Sequence, residues 1–303
     1  MPDPPKRRRA VAGIPDCSAV LIAGPTASGK SALALEIASA RNGIIINADS
    51  MQVYSCWQVL TARPGAEEIK RVPHALYGHV SATESYSVGA WLRDIADVLR
   101  GNAGRLPVIV GGTGLYFTAL TEGLAPIPPI EAEIRATGQE LLTRHGKAGL
   151  LARLRRDDPG TYAVIDHDNG ARLLRAWEVL EATGRGLSDW QSDHAPPLLP
   201  LDTTYPILLC PDRKLLEERI EQRLQAMIAS GALQECVASL SRMHLELYSS
   251  RAHGNAALIA YLQGRMTLAG AMRRALTETR QYAKRQRTWF RSRMRGWNRI
   301  DGW

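Results

Sequence analysis

The sequence has few cysteines and no long apolar run. Its four cysteines stand far apart without metal-type spacing, which excludes a site of paired cysteine ligands and favours unpaired thiols in a reducing cytosol. No apolar run approaches the roughly eighteen residues of a membrane span, so we expect no membrane association. A hydrophobic content of 45% can still fill a core, and 303 residues suffice for one large or two ordinary domains.

Acidic residues are scarce at the C-terminal end. Residues 265 to 303 contain eleven Lys or Arg and two acids, Glu278 and Asp301, a balance of +9, while the whole chain has a net charge of +8. Such a concentration of positive charge is expected where a protein binds a polyanion. The N-terminal MPDPPKRRRA is also basic, but no apolar segment or cleavage site follows it, so residues 1 to 15 are predicted to form a disordered basic tail.

The clearest motif is a glycine-rich loop between the apolar run AVLIAG and the amphipathic ALALEIA. Gly24, four further residues, then Gly29, Lys30 and Ser31 fit the phosphate-loop pattern. In such a loop, backbone N–H groups converge on an anion at a helix N-terminus, the lysine adds charge, and the serine hydroxyl is placed to ligate Mg²⁺. The pattern predicts a diphosphate-binding site at Gly24, Pro25, Thr26, Ala27, Ser28, Gly29, Lys30 and Ser31. The loop alone does not show whether the bound anion is a nucleoside triphosphate or some other diphosphate.

The rest of the chain alternates strand and helix patterns. GIIIN, LPVIVGG and YPILLC, the last at residues 205 to 210, are typical of buried parallel strands. Helical spacing predicts a helix around Trp91 and Ile95, two helices in 213 to 240 joined near Gly231, and a long helix at about 266 to 292. Two proline-rich segments enclose residues 122 to 200, so we predict a helical insertion in an α/β core made of residues 16 to 121 and 201 to 303.

Polar residues follow two of the predicted strands. The carboxyl ends of parallel strands meet beside the phosphate loop, so Asp49 should face the bound anion as a Mg²⁺ ligand or general base, with a capping role in an Asx-turn as the alternative. A nucleotide hydrolase usually has a metal-binding acid after the strand facing the loop. Here that strand ends in Gly111, Gly112 and Thr113, which predicts either a narrow passage lined by Thr113 or a simple glycine turn.

The C-terminal helix carries basic residues at spacings of seven, four, three and four, which place them on one face. We call this set the basic stripe: Arg273, Arg280, Lys284, Arg287 and Arg291. Trp289 and Phe290 interrupt it and are predicted to offer aromatic surface for unstacked bases. The alternative is a solvated charged face.

Seven segments resemble, in order, those of the tRNA dimethylallyltransferases, also called isopentenyl-diphosphate:tRNA isopentenyltransferases: GPTASGKS, NADSMQVY, VPHALYGHV, YSVGAW, PVIVGGTGLYFTAL, RLLRAWEVLEATG and TRQYAKRQRTWFR. The resemblance covers about residues 19 to 292. It implies a fold similar to nucleoside kinases, with a helical insertion that grips the anticodon stem and loop. It also implies transfer of the dimethylallyl group from dimethylallyl diphosphate to N6 of the adenosine 3′-adjacent to the anticodon, in tRNAs that read codons starting with U.

The resemblance further implies individual roles. The loop from Thr26 to Ser31 would hold the diphosphate with Mg²⁺ at Ser31, Arg280 would reach the same diphosphate, Asp49 would be the catalytic base, and Thr113 would line the channel where the substrates meet. We expect a cytoplasmic monomer. The residues implied in tRNA binding are Asp49, Ser50, Met51, Gln52, Thr113, Arg135, Ala171, Arg172, Leu173, Leu174, Arg175, Lys284, Arg285, Gln286, Arg287, Thr288, Trp289, Phe290 and Arg291.

Two places depart from the family pattern. HGNAA, residues 253 to 257, keeps Gly254 but lacks the tyrosine, basic residue and glutamate that commonly follow this glycine, and we expect this to affect a tRNA contact rather than the catalytic core. Leu60 stands where the family usually has glycine. Three other functions are weighed against the transferase: a small-molecule or nucleotide kinase, an isopentenyltransferase acting on free adenine nucleotides, and a non-catalytic RNA-binding module.

Overall fold

The computed structural model describes residue 11 and residues 13–193, 195–240 and 247–301. Most of the predicted basic tail, residues 1–10 and 12, lies outside them. The chain forms two compact units, one made of the residues up to Thr121 together with those from Leu198 onward, the other of Glu122 to Pro197. In the part of the chain that the structure describes, no helix is both long and apolar enough to cross a membrane.

A single parallel sheet forms the centre of the first unit. Within the described residues its strands are β1 (Val20–Ala23), β2 (Gly43–Asn47), β3 (His74–Ala75), β4 (Leu106–Gly111), β5 (Tyr205–Cys210) and β6 (Asn298–Asp301). Their spatial order is β3-β2-β4-β1-β5-β6, and every neighbouring pair is parallel. The three predicted strands are confirmed, β5 with the predicted bounds. Strands β3 and β6 carry no apolar run that would predict them, because one is two residues long and the other is polar.

Helices cover both faces of this sheet. The helices of the first unit that the structure describes are α1 (Lys30–Ala40), α2 (Ala66–Arg71), α3 (Val88–Gly101), α4 (Gly114–Glu122), α9 (Arg213–Ala229), α10 (Ala232–Leu240), α11 (Asn255–Leu262) and α12 (Leu268–Arg293). Alternate residues of β1 enter opposite cores: Leu21 packs with α3, α4 and the end of α12, while Ile22 packs with α1. Burial on both faces explains why the predicted strands are continuous apolar runs.

The sequence predictions for the helices are confirmed. Trp91 and Ile95 of α3 are fully buried, as their helical spacing requires. Helices α9 and α10 meet at Gly231, whose φ of 104° is the left-handed conformation that glycine adopts readily. A third core lies beside the sheet and contains Trp57, Leu224 and Leu258. It packs α9, α10, α11 and the first half of α12 together.

The second unit is helical in its described residues. Its helices are α5 (Ala132–Asp157), α6 (Pro159–Val164), α7 (Gly170–Thr183) and α8 (Leu187–Ser192). Leu150 and Leu154 of α5 pack against Leu173 and Trp177 of α7 to form its core. Helix α5 is interrupted at Gly146, whose φ of 61° and ψ of −163° are not helical.

Candidate active site

The loop between β1 and α1 turns its polar groups inward. Ala27 and Gly29 have φ angles of 62° and 89°, and alternating left-handed residues aim successive N–H groups at one point. A Cβ on Gly24 would lie 2.7 Å from Ser28 Oγ, so this approach requires glycine. Ser28 is fully buried, and its hydroxyl has no hydrogen-bond partner within the described chain. A buried polar atom without a partner fits a loop that awaits a ligand.

Gln286 of α12 fastens this loop to the end of β4. Its Oε1 accepts a hydrogen bond from the Thr26 N–H at 2.8 Å, and its Nε2 donates to the Gly112 carbonyl at 2.9 Å. The side chain is only 5% exposed. Both ends of its amide are used inside the protein, so the residue positions the phosphate loop. Contact of Gln286 with tRNA stays a prediction that this arrangement does not favour.

Replacing this amide should loosen the loop. In Gln286→Leu, the Thr26 N–H and the Gly112 carbonyl are left without their partner, and we expect a decrease of about 1–3 kcal/mol in the free energy of unfolding. Thermal unfolding measures the decrease, and titration with dimethylallyl diphosphate should show weaker binding. Gln281→Leu, at an exposed position of the same helix, is the control and should change neither quantity. Equal effects of the two substitutions would contradict the positioning role.

Asp49 follows β2 in a turn that fixes its carboxylate. The fully buried Asn47 accepts from the Asp49 N–H at 2.9 Å and donates to the Leu76 carbonyl at 3.0 Å. Asp49 Oδ1 accepts from the Met51 N–H at 3.0 Å, which is the capping interaction considered as an alternative. Its Oδ2 faces the end of β4, 3.5 Å from where a Cβ on Gly112 would stand. One oxygen thus holds the turn while the other points to the neighbouring strand end.

Thr113 ties the two strand ends together. Its Oγ1 accepts from the Ser50 N–H at 2.9 Å and donates to Ser50 Oγ at 3.3 Å. The strands approach so closely that a Cβ on Gly111 would lie 1.9 Å from the Ala48 carbonyl oxygen. Thr113 does not line the cavity described next, so its position in a substrate channel stays a prediction.

A cavity opens beside the loop and the Asp49 turn. It encloses about 640 Å³, measured out to its open mouth. Its walls come from the phosphate loop, the segments after β2, and helices α9 and α12. They are formed by Thr26, Asp49, Met51, Leu60, Thr61, Ile220, Arg223, Leu224, Met227, His253, Thr279 and Tyr282. The cavity therefore joins a charged end, beside the loop, to an apolar wall.

The Asp49 carboxylate interacts electrostatically with two cations, Arg223 and Lys30. The Arg223 guanidinium donates to the Thr61 carbonyl at 3.2 Å and to Thr26 Oγ1 at 3.5 Å. Burial lowers the pKa of Arg223, and the Asp49 charge opposes this. Burial lowers the pKa of Lys30 to about 8, opposed by Asp49 and reinforced by Arg223. Two cations against one carboxylate leave an excess of positive charge, and a bound anion would relieve the cost of burying it.

His253 and Tyr282 form an aromatic part of the cavity wall, with ring centroids 4.2 Å apart. Burial lowers the pKa of His253, Arg285 lowers it further, and Asp49 and Glu278 oppose both, which favours the neutral imidazole. Leu60, one departure from the family pattern, lines the cavity, and so does His253, whereas the three departing residues of HGNAA, 255 to 257, are not part of its wall. Leu60 Cδ1 lies 3.9 Å from where a Cβ on Gly254 would stand. The expectation that these departures affect a tRNA contact stays a prediction.

Arg223 was missed at the level of sequence. In LEERIEQRLQAM it looks like one of several surface charges. The signal that was present is its spacing: Ile220, Arg223 and Met227 are three and four residues apart, so Arg223 lies on the apolar face of α9. A charge on the buried face of an amphipathic helix is an unusual feature that points to a site.

Arg280 lies outside the cavity wall. Its Nη2 is 3.5 Å from Glu221 Oε2, and its side chain is 42% exposed. The preceding residue, Thr279, does line the cavity. The role of Arg280 in holding the diphosphate thus stays a prediction that this arrangement does not favour.

Two further residues predicted to bind tRNA are buried. Phe290 is 2% exposed and packs in the core that covers the sheet, so this structure does not favour the prediction that it offers stacking surface. Leu173 is fully buried in the core of the second unit, which does not favour the prediction that it contacts RNA. Trp289 is half-buried against the same core as Phe290, and its Nε1 has no partner in the described part of the chain.

Most of the other residues predicted to bind tRNA are exposed. On α12 these are Lys284, Arg285, Arg287, Thr288 and Arg291, and in the second unit Arg135, Ala171, Arg172 and Arg175. Leu174, Ser50, Met51 and Gln52 are half-buried. Arg175 is 3.6 Å from Glu178, and Gln52 Nε2 donates to the Thr61 carbonyl at 2.8 Å. Their contacts with RNA stay predictions.

The parallel sheet, the loop at the start of α1 and the cationic cavity beside it define a phosphate-loop α/β protein with a helical insertion, as the sequence predicts. A family model described as "IPP transferase" matches residues 52–293, and one described as "Isopentenyl transferase" matches residues 17–77. The chain belongs to the IPP transferase family.

Similar proteins agree with this assignment. The chain is 52% identical over 287 residues to a tRNA dimethylallyltransferase of Cereibacter sphaeroides, covering 95% of this chain and 90% of the relative. It is 54% identical over 279 residues to one of Roseobacter denitrificans, covering 92% and 97%.

Solved structures of the family share the fold. The tRNA isopentenylpyrophosphate transferase of Bacillus halodurans matches with a TM-score of 0.67 at 31% identity, over 95% of this chain and 90% of the other. A eukaryotic dimethylallyltransferase, described as acting on tRNA, matches with a TM-score of 0.81 at 25% identity, over 95% and 74%. The family and fold class implied by the sequence motifs are confirmed.

Proposed function

We propose that this protein is a tRNA dimethylallyltransferase. It transfers the dimethylallyl group from dimethylallyl diphosphate to N6 of the adenosine 3′-adjacent to the anticodon, in tRNAs that read codons starting with U. One observation carries the proposal: a single cavity joins the phosphate loop, the Arg223 cation and the Asp49 carboxylate to an apolar wall. An allylic diphosphate has the matching parts, an anionic head and a short hydrocarbon chain.

The charged end of the cavity supports binding of the diphosphate. The loop supplies inward-facing polar groups, and Lys30 and Arg223 supply the positive charge that balances a departing diphosphate. A Mg²⁺ ion fits this site through the exposed Ser31 hydroxyl at the first turn of α1 together with diphosphate oxygens, and it would add charge to offset the leaving group. Among the described residues, no group of three or more His, Cys, Asp or Glu could hold a metal instead.

Asp49 supports the chemistry at the acceptor. An exocyclic adenine amine is a poor nucleophile, so it needs a hydrogen-bonding carboxylate nearby. The C–N bond forms as the allylic C–O bond breaks, the diphosphate leaves with the bonding electrons, and the N6 proton passes to Asp49 Oδ2. The adenine must leave its stack in the anticodon loop to reach the cavity.

The charge on α12 supports docking of the tRNA. Lys284, Arg287 and Arg291 are exposed along the basic stripe, and the second unit presents Arg135 and Arg172. Phosphate contacts of this kind position a nucleic acid without reading its sequence. A free nucleotide needs no such surface, which favours tRNA over AMP as the acceptor. We propose that the protein acts as a monomer in the cytoplasm.

Neutralising the stripe should weaken tRNA binding and its dependence on salt. In Arg287→Gln with Arg291→Gln, the slope of log affinity against log salt should fall by about 1 for each phosphate that the variant no longer neutralises. The measurement is tRNA binding at several salt concentrations. The exposed pair Arg100→Gln with Arg105→Gln removes the same charge from another part of the surface and should leave the slope unchanged. A wild-type slope in the stripe variant would exclude this face as the docking surface.

Radiolabelled dimethylallyl diphosphate tests the proposed function. The protein is incubated with Mg²⁺ and either unmodified tRNA, AMP, ADP or ATP as acceptor. Label in tRNA alone supports the proposal, whereas label in a free nucleotide favours an adenylate isopentenyltransferase. ATP-dependent phosphoryl transfer without prenylation would favour a kinase, and tRNA binding without any transfer would favour a non-catalytic module.

A further inference from the structure

The apolar wall of the cavity is closed by well-packed residues. Leu60 and Leu224 line it and are only 6% and 7% exposed. Both belong to the third core, in which Leu258 and Ala275 are fully buried. Leu60 Cδ1 lies 3.9 Å from where a Cβ on Gly254 would stand, so the Leu60 side chain packs directly against the start of α11. The cavity therefore ends at close-packed protein rather than at solvent on this side.

Hydrogen bonds fix the backbone on both sides of the Leu60 side chain. The Glu235 carboxylate accepts hydrogen bonds from the N–H groups of Gln58, Val59 and Leu60, the last two at 3.0 and 2.7 Å. The next carbonyl, that of Thr61, accepts from Gln52 Nε2 at 2.8 Å as well as from Arg223. These bonds fix the backbone that carries Leu60, and the side chain itself is held by its packing against Gly254 and the third core.

The same contacts place Leu60 beside the charged end of the cavity. Arg223, which we assign to the diphosphate, donates to the Thr61 carbonyl at 3.2 Å, one residue from Leu60. Leu60 also lines the cavity, so a hydrocarbon chain that extends from that diphosphate along the apolar wall contacts the Leu60 side chain.

We propose that Leu60 determines the length of the prenyl chain that the protein accepts. It leaves room for the five carbons of a dimethylallyl group and excludes the ten carbons of a geranyl group. This inference rests on the proposed function. Protein interiors are packed without spare volume, so five further carbons would have to displace a fixed side chain and the core behind it.

Leu60→Ala should relax this specificity. We compare kcat/KM for geranyl diphosphate with kcat/KM for dimethylallyl diphosphate, using tRNA as the acceptor. The ratio of the two should be below about 0.1 in the wild-type protein and should rise at least about tenfold in Leu60→Ala. Leu258→Ala removes the same atoms from the same core without lining the cavity, so it controls for reduced stability and should keep the wild-type ratio.

If Leu60→Ala fails to fold, Leu60→Val replaces it in the test. Because valine frees less space than alanine, we expect the ratio of kcat/KM for geranyl diphosphate to that for dimethylallyl diphosphate to rise about threefold. An unchanged ratio in a folded Leu60 variant, or an equal rise in Leu258→Ala, would overturn the inference. Failure of the wild-type protein to transfer dimethylallyl to tRNA would instead overturn the proposed function. The two failures are thus distinguishable in the same assay.

Discussion

Asp49→Asn should lower turnover by about 10²–10⁴-fold while changing tRNA affinity by less than roughly twofold. The asparagine carbonyl can still accept from the Met51 N–H, so the turn after β2 is kept. The variant lacks the carboxylate that takes the N6 proton. Single-turnover rates with saturating donor and tRNA measure the chemical step, and a filter-binding assay measures affinity.

Asp97→Asn is the matched control for this substitution. Asp97 lies on α3, 67% exposed and paired with Arg100, so its neutralisation should leave the rate unchanged. A wild-type rate in Asp49→Asn would exclude Asp49 as the base. An equal fall in tRNA affinity and turnover would assign it to binding instead.

Arg223→Gln should lower kcat/KM for dimethylallyl diphosphate by about 10²–10³-fold, the usual effect of removing one group that stabilises developing charge. Arg223 lines the cavity and donates to Thr26 Oγ1 in the phosphate loop at 3.5 Å. The glutamine keeps some hydrogen-bonding capacity but not the charge. Steady-state kinetics with the donor varied at fixed tRNA gives the comparison.

Arg280→Gln is the informative partner variant. Because Arg280 is 42% exposed and paired with Glu221, the structure predicts a much smaller effect than for Arg223→Gln. The family resemblance instead places Arg280 at the diphosphate, so it predicts a larger loss of kcat/KM for Arg280→Gln than for Arg223→Gln. A larger effect of Arg280→Gln would show that its side chain leaves Glu221 for the donor and that Arg223 is secondary.

The core of the fold could be predicted because its local patterns agree with its tertiary structure. The apolar runs that became β1, β2, β4 and β5 are buried on both faces, and a run of that kind has few other stable solutions. Strand β6 reads NRID and owes its extended conformation to pairing with β5, which lies some ninety residues earlier. Such a strand depends on tertiary contacts that no local pattern records.

The candidate site likewise contains residues that local sequence patterns predict and residues that they do not. The phosphate loop and Asp49 were predictable because motif and strand end together fix their place. Gln286 and Arg223 were not, because a polar residue on a buried helix face is recognised only when its partners across the fold are known. The burial of Phe290 could have been inferred, because Ala275, Ala283, Gln286 and Phe290 are all buried at helical spacing.

Mass spectrometry of nucleosides and nuclease fragments from treated tRNA tests the central claim most directly. Unmodified tRNA that reads a codon starting with U is incubated with the protein, Mg²⁺ and dimethylallyl diphosphate. We expect N6-(dimethylallyl)adenosine in the fragment that contains the anticodon, at its 3′-adjacent adenosine, and at least about a hundredfold less of it in the same time with Asp49→Asn. A prenyl group on any other atom or nucleotide, or formation of the product by Asp49→Asn at the wild-type rate, would contradict this assignment.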